Sequence, residues 1–196
     1  MAQDFEALTH YAKSFSGLTP ELETILLTAG AEIKLKLPMI TEQFYRNLSA
    51  LPEAATFIDG RVDALKETHL RWMESLFSGP YDQTYVEQMY KIGYVHVRIK
   101  LPVEFIASAM TMINNRLNHI LVETYGSDLT FLAKVLEAVG AVTGMSLLLM
   151  QKSFQTASSE DELETFLQIT GMSRALFNNL ASSYQNTCFI PKAPST

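Results

Sequence analysis

The sequence has few of the residues that hold small secreted or metal-bound domains together. It contains one cysteine, Cys188, in 196 residues, so no internal disulfide can form. It also has no Cys-x-x-Cys-His and no His-Glu-x-x-His sequence, which excludes the motifs of covalent haem attachment and of zinc proteases. The N-terminus does not show the charged-then-apolar pattern of a secretory signal. These absences predict a protein of a reducing compartment, and we expect a cytoplasmic location.

Positive charge and long apolar runs are scarce as well. The chain has 15 Lys and Arg against 21 Asp and Glu, for a net charge of −6. This balance does not favour nucleic acid or anionic lipid as a partner. The longest weakly polar stretch, from Ala138 to Met150, covers 13 residues, which is below the roughly 18 that predict a membrane-spanning helix. We expect one soluble domain that buries about 70% of its unfolded surface.

Helical periodicity runs through nearly the whole chain, and no alternating strand pattern of any length occurs. Proline and glycine divide the periodic segments. We predict a short leading helix at 4–15, a helix that begins at 19–21, one around 44–45, a short one around 57–58, and longer helices at about 60–77, from about 82, at about 102–125 and at about 128–157.

Two histidines lie at the centres of apolar stripes on consecutive predicted helices. The members of both stripes recur at steps of three and four residues, which places each set on one helix face. The stripes are Val62, Leu65, His69, Trp72 and Leu76, and Tyr85, Met89, Ile92, His96 and Ile99. Both imidazoles are therefore predicted to point inward. Each needs a partner, because an unpaired buried polar group costs roughly 1–3 kcal/mol.

An inward histidine is ordinarily a core residue that is bonded to a carbonyl or a hydroxyl. Two of them on neighbouring helices also suit haem iron, which takes a proximal histidine and accepts a second axial nitrogen. Zinc is the competing metal, but a closed zinc site needs four ligands at short spacing, and Cys188 lies far from either histidine in the sequence. If haem binds, coordination and packing alone hold it.

The segment from Lys91 to Phe105, KIGYVHVRIKLPVEF, resembles the proximal segment of the globin-coupled sensors and protoglobins. The motif positions of that segment are occupied by Gly93, His96, Arg98, Ile99, Leu101 and Phe105. The sequence at 44–48, FYRNL, is similar to the family's Phe-Tyr-x-x-Leu segment, whose tyrosine lies over the distal face of the haem. The resemblance covers residues 5 to 157. It implies an all-α globin fold, a three-over-three helical sandwich, with an extra N-terminal helix and a C-terminal extension helix.

The chain departs from the family pattern at four places. Lys100 stands where the family usually has glycine, Pro102 precedes the usual proline position at Val103, and Phe105 replaces tryptophan. We expect these changes to alter the turn between two helices without removing the ligand. His69 stands where many members carry an apolar residue, and it fits the variant in which a distal histidine makes the iron six-coordinate.

The resemblance implies a non-covalent haem b with His96 as its proximal ligand and His69 as its distal ligand. We expect the pocket wall to consist of apolar and aromatic residues, although the same residues also suit a plain core. They are Phe44, Tyr45, Phe57, Leu65, Met89, Ile92 and Phe105. Tyr45 would bring a hydrogen-bond donor to a bound diatomic ligand.

The last two predicted globin helices indicate a partner. The helix at 128–157 carries apolar residues on more than one face, and a helix that is apolar nearly all round must be covered all round. The apolar residues are Phe131, Val135, Val139, Val142, Met145, Leu148 and Leu149. A two-fold contact through 102–125 and 128–157 would cover them, and the family resemblance also implies such a homodimer. The alternative is that the helix is fully buried inside the monomer.

The composition changes after Ala157. Residues 158–162, SSEDE, predict a hinge and a helix start, and an amphipathic segment follows. We therefore divide the chain into a haem-binding sensor domain at 1–157 and a linker or relay helix with a tail at 158–196. The second part can act as a relay to an output module or as a cap on the same domain. The sequence contains no kinase, cyclase or chemoreceptor module, so we expect a stand-alone sensor globin or an excised input domain.

We therefore predict a haem-based sensor globin, not an enzyme, that binds oxygen, carbon monoxide or nitric oxide or senses redox state. The gas displaces His69, and the dimer helices carry the signal. One alternative is a six-coordinate redox protein that transfers electrons or reacts with nitrite or nitric oxide. Another is a haem-free globin-like interaction module, against which the presence of His96 and Tyr45 counts.

Overall fold

The computed structural model describes residues 3–187, and within that range the chain consists of helices joined by short connections, with no strand. The all-α prediction is confirmed. The helices are α1 (Phe5–Ser16), α2 (Pro20–Ile33), α3 (Leu37–Ser49), α4 (Pro52–Ile58), α5 (Val62–Ser75), α6 (Gln83–Arg98), α7 (Val103–Tyr125), α8 (Leu129–Thr170) and α9 (Arg174–Thr187), with a short 3₁₀ turn at Lys34–Lys36. Cys188 lies outside the described residues.

Side-chain caps explain where several of these helices begin. Asp4 accepts a hydrogen bond from the backbone N–H of Ala7, and Asp82 accepts one from that of Tyr85. Thr19 caps α2 in the same way, with Pro20 in the first turn. Such caps satisfy N–H groups that have no partner within the helix. The predicted boundaries at these positions are confirmed to within one or two residues.

The predicted hinge at residues 158–162 is wrong. These residues lie inside α8, which runs without a break from Leu129 to Thr170. Exposed serine and acidic residues lower helix propensity only slightly, whereas glycine and proline are the residues that end helices. The break falls at Gly171, whose φ of 67° is in the left-handed region. Ser173 then caps α9 by accepting a hydrogen bond from the N–H of Leu176.

The chain divides into two compact units after Gln155. In the first unit, α3 packs closely on α5, and α6 packs on α1. In the described part of the second unit, α9 returns along the end of α8. There Arg174 pairs with Glu164, and the rings of Phe166 and Phe177 meet at 6.2 Å.

The apolar residues of α8 are covered within the first unit. Five of them are buried and two are half-buried: Val135, Val139, Val142, Met145 and Leu149, and Phe131 and Leu148. The premise that these side chains need a partner to cover them is therefore wrong, because neighbouring helices of the same chain cover them. Within the first unit, the exposed residues in the middle of α8 are small or charged, namely Ala133, Lys134, Glu137, Gly140 and Gly144.

By length and composition alone, α8 is long and apolar enough to cross a membrane. It contains an 18-residue window with a mean hydropathy of 1.6. The predicted 13-residue stretch stopped at Glu137 and Gln151, whereas an 18-residue window keeps a high mean although it includes one or two charged residues. Half of the window is buried inside the protein, and the core helix of a soluble protein meets the same criterion.

Candidate functional site

His69 lies on α5, against a buried face of α3. The Oγ1 atom of Thr41 is 3.3 Å from the Nδ1 atom of His69. The ring of Phe44 stacks on the imidazole with centroids 4.7 Å apart and planes 8° apart. The ring of Tyr45 meets the imidazole edge-on at 5.7 Å. Three side chains of one helix therefore surround this imidazole.

The spacing of these three residues explains why they act together. Phe44 and Tyr45 follow Thr41 by three and four positions, so all three lie on one side of α3. All three are buried in the first unit. The 3.6-residue period brings them to His69 only because α3 and α5 pack side by side.

The second nitrogen of His69, Nε2, is buried and makes no hydrogen bond. Burial lowers the pKa of His69 from 6.5 to about 4, because removing the ring from water disfavours its charged form. The imidazole is therefore neutral at pH 7. A neutral imidazole with an unpaired nitrogen is the form that binds metals.

Two further polar groups adjoin this imidazole. The ring of Trp72 lies 5.4 Å from that of His69, and its Nε1 donor is also buried without a partner. Burial raises the pKa of Tyr45 to about 12, so its phenol keeps its proton at any physiological pH. The surroundings of His69 thus offer hydrogen-bond donors in an otherwise apolar environment.

His96 lies near the end of α6 and is half-buried. Its Nδ1 atom is buried and completes no hydrogen bond. Burial lowers the pKa of His96, and the backbone carbonyl of Ile92, one turn earlier, opposes part of that shift. His96 is therefore a second neutral, inward imidazole, as its stripe predicts.

Two contacts with α8 position the helix that carries His96. A Cβ atom at Gly93 would lie only 2.2 Å from the carbonyl oxygen of Met150, so the two backbones can approach only because Gly93 has no side chain. The hydroxyls of Tyr85 and Ser146, both buried, form a hydrogen bond of 2.8 Å. These contacts tie α6 to α8 within the first unit.

Four of the seven predicted wall residues make ring contacts, in two separate groups. Phe44 and Tyr45 lie beside His69. Phe57 of α4 meets Phe105 of α7 edge-on, with ring centroids 5.9 Å apart. Met89 is buried, whereas Leu65 and Ile92 are half-buried beside the core. No hydrogen bond or ring contact among the described residues joins His69 to His96.

The residues present fit a flat cofactor with an iron at its centre. His69 on α5 keeps a buried nitrogen, Nε2, without a hydrogen bond, His96 on α6 is a second inward imidazole whose pKa is lowered by burial, and aromatic rings surround His69. A protein-only metal site has less support, since residues 3–187 contain no group of three or more His, Cys, Asp or Glu that could hold an ion. A surface depression of about 330 Å³ at the end of α3 includes neither histidine and no predicted wall residue.

The sequence analysis missed Thr41 and the contact role of Gly93. Thr41 lies three and four positions before the predicted wall residues Phe44 and Tyr45, so helical spacing already places it on their face. The sequence carries no comparable signal for the approach of Gly93 to Met150. That contact joins positions that are far apart in the chain.

Comparison with known proteins gives consistent results. The protoglobin family model matches residues 5–162. The globin domain of the Geobacter sulfurreducens globin-coupled sensor is 28% identical, with a TM-score of 0.70, over 74% of this chain and 96% of that one. The globin domain of E. coli DosC matches in its ferric form with 17% identity and a TM-score of 0.62, over 74% of this chain and 99% of that one. Its ferrous form matches with 18% identity and a TM-score of 0.61, over 72% of this chain and 97% of that one. At these lower identities the likeness concerns the fold alone.

Proposed function

The chain belongs to the protoglobin family, and on that premise we propose that it is a haem-based sensor of diatomic gases with two histidine ligands. The family implies haem binding and gas sensing in general. For this chain we assign His96 as the proximal ligand, because it lies in the family motif on α6. His69 is the distal ligand. The observation that carries this assignment is the neutral, half-buried imidazole of His69, whose buried Nε2 has no hydrogen-bond partner.

The side chains have separate tasks in this proposal. Non-covalent haem b, when bound, supplies an iron that takes up diatomic gases reversibly. His96 and His69 would each offer one ring nitrogen to this iron. Tyr45, beside His69, would donate a hydrogen bond to a bound gas, because its raised pKa keeps the phenol protonated. Phe44, Phe57, Leu65, Met89, Ile92 and Phe105 supply apolar surface.

Displacement of His69 by a gas provides the switch. The apparent affinity for the gas is the intrinsic affinity multiplied by the fraction of time during which His69 is away from the iron. Because the imidazole contacts Thr41, Phe44 and Tyr45, its release changes the contacts between α5 and α3. A ligand shifts an equilibrium only through such a difference between two states. We assign no catalytic step, and we propose a cytoplasmic setting.

We further propose that the protein forms a homodimer through α7 and the globin part of α8, at about 102–125 and 128–157. Family membership supports this contact, as does the exposed face of α8. Gly140 and Gly144 lie on that face, and a Cβ atom at either would meet nothing within 4 Å. Two such faces can approach closely, because no side chain separates the helices. Residues 158–196 would then relay the signal.

Replacing both Gly140 and Gly144 with glutamate is expected to convert the dimer into a monomer. The new carboxylates have room in the monomer, but across a two-fold contact they would face like charges and lose their water. Light scattering during gel filtration measures the mass of each variant. Thr28→Glu on the exposed side of α2 is the matched control and should leave the dimer intact. A dimeric double variant would refute this interface.

The test of the proposed ligation is the replacement of His69 with alanine. The unmodified haem protein is expected to show a low-spin, six-coordinate spectrum in which carbon monoxide binds slowly. In His69→Ala the iron should become five-coordinate, and the carbon monoxide association rate should rise about ten-fold or more, because the competing ligand is gone. Visible absorption and flash photolysis measure both properties.

Three results would separate the remaining possibilities. An unchanged spectrum and an unchanged association rate in His69→Ala would remove His69 from the iron. Rapid reduction by a physiological donor with sustained turnover would favour the redox protein. A chain that takes up no haem even on reconstitution would favour the interaction module.

A further inference from the structure

Thr41 supplies the hydrogen-bonding contact of the His69 ring among the described residues. Its Oγ1 atom lies 3.3 Å from Nδ1 of the imidazole, and the threonine is only 4% exposed. No role for Thr41 follows from the assignment of His96 and His69 as ligands. The contact is nevertheless specific, because it reaches one of the two ring nitrogens and leaves the other without a partner.

The contact leaves two forms of the neutral imidazole to compare. A neutral imidazole has one N–H donor and one acceptor nitrogen, and a threonine hydroxyl can accept or donate. If the hydroxyl donated to Nδ1, Nε2 would keep its proton and would have no lone pair for a metal. If Nδ1–H donated to the hydroxyl, Nε2 would keep its lone pair. Each form leaves one buried donor without an acceptor among the described residues, Nε2–H in the first and the Thr41 O–H in the second. Only the second form lets Nε2 bind a metal while Nδ1 stays paired.

The other neighbours of His69 restrict the plane of its ring but do not choose between the nitrogens. Phe44 stacks on the imidazole face, and Tyr45 meets it edge-on. Stacking of two nearly parallel rings limits tilting and still allows a half-turn about the Cβ–Cγ bond, which would carry Nδ1 away from Thr41 and move Nε2 to the place of the ring carbon Cε1. A hydrogen bond to one nitrogen prevents that half-turn. Thr41 and Phe44 therefore have complementary effects from the same face of α3.

We propose that Thr41 is a positioning residue that holds His69 in its Nδ1–H tautomer and so leaves Nε2 as the nitrogen available to iron. This inference rests on the proposed function, in which His69 is the distal ligand. Hydrogen-bond partners of metal-bound histidines typically contribute 10–100-fold to metal affinity. Thr41 would thereby set how firmly His69 competes with a gas.

The test uses the 196-residue chain with two substitutions at Thr41. Thr41→Val keeps the shape and removes the hydroxyl, whereas Thr41→Ser keeps the hydroxyl. In the chain before haem is added, long-range ¹H–¹⁵N NMR of labelled histidine identifies the protonated nitrogen. The unmodified chain and Thr41→Ser should show Nδ1–H, and Thr41→Val should show a mixture of tautomers. Thermal unfolding monitors folding, and Thr41→Ala replaces the valine variant if that one does not fold.

The haem-loaded proteins provide the second measurement. Thr41→Val is expected to raise the carbon monoxide association rate roughly ten-fold, and Thr41→Ser should restore the original rate. In a His69→Ala background Thr41→Val should change nothing, because Thr41 acts through His69. A structural role would instead change both backgrounds alike.

The outcomes separate this inference from the function on which it rests. An Nε2–H tautomer in the unmodified chain, or equal rates in the unmodified and Thr41→Val proteins with a six-coordinate spectrum, would overturn the role of Thr41 and leave the distal ligand in place. A five-coordinate unmodified protein whose NMR still shows the Thr41-dependent tautomer would remove His69 from the iron and leave its positioning by Thr41 intact.

Discussion

Replacing His96 with alanine is expected to yield a protein that retains almost no haem. A non-covalent haem depends on its axial ligands and on packing. Loss of a mere hydrogen-bond partner of a ligand already costs roughly 10–100-fold in metal affinity, so loss of the proximal imidazole should cost more. The measurement is the ratio of Soret to protein absorbance after reconstitution and gel filtration.

The chain offers matched controls for this experiment. His119 on α7 and His10 on α1 are not part of either stripe, and His119 is exposed. Alanine at either position should leave haem retention unchanged. In His96→Gly, free imidazole in the buffer should restore the Soret band, since it can replace the missing side chain. Full haem retention in His96→Ala would contradict the proximal assignment.

Replacing Gly93 with alanine is expected to lower the free energy of unfolding by about 3 kcal/mol or more, at the upper end for overpacked cores. The added methyl carbon would lie 2.2 Å from the carbonyl oxygen and 2.9 Å from the Cα of Met150. Both are backbone atoms, so no side-chain rotation can relieve the clash. Either α6 moves away from α8, or α8 bends.

Denaturant unfolding measures this loss, and Val95→Ala is the matched control. Val95 lies two residues further along α6 and is 48% exposed. Its truncation also ends in alanine and should change stability by no more than roughly 0.5 kcal/mol. Because α6 carries His96, Gly93→Ala should also disturb haem binding in the fraction that remains folded. Equal stability of Gly93→Ala and the unmodified protein would refute the close contact.

Most of the helical order could be predicted from local pattern. Periodicity of three and four residues identified the helices, and the starts predicted at residues 4, 19 and 82 coincide with the caps Asp4, Thr19 and Asp82 in the structure. The SSEDE segment misled the prediction because polarity alone was treated as a break. The glycine that does end α8, Gly171, was not recognised as the stop.

The apolar residues of α8 show a second limit of what local sequence pattern can predict. A pattern shows that a side chain needs to be covered, but it does not show what covers it. In the structure the chain itself covers Val135, Val142 and Leu149. A two-fold contact through the middle of α8 would therefore use the exposed positions Gly140 and Gly144.

The sequence by itself determined that the chain is helical, that His69 and His96 point inward, and that residues 91–105 resemble a protoglobin segment. These properties depend on residues within one or two helical turns of each other. Only the tertiary structure decided that Thr41 contacts Nδ1 of His69, that Phe44 stacks on its ring, and that Gly93 meets the backbone of Met150. Each of these contacts joins two helices, and helical periodicity specifies the faces of a helix without specifying which faces meet.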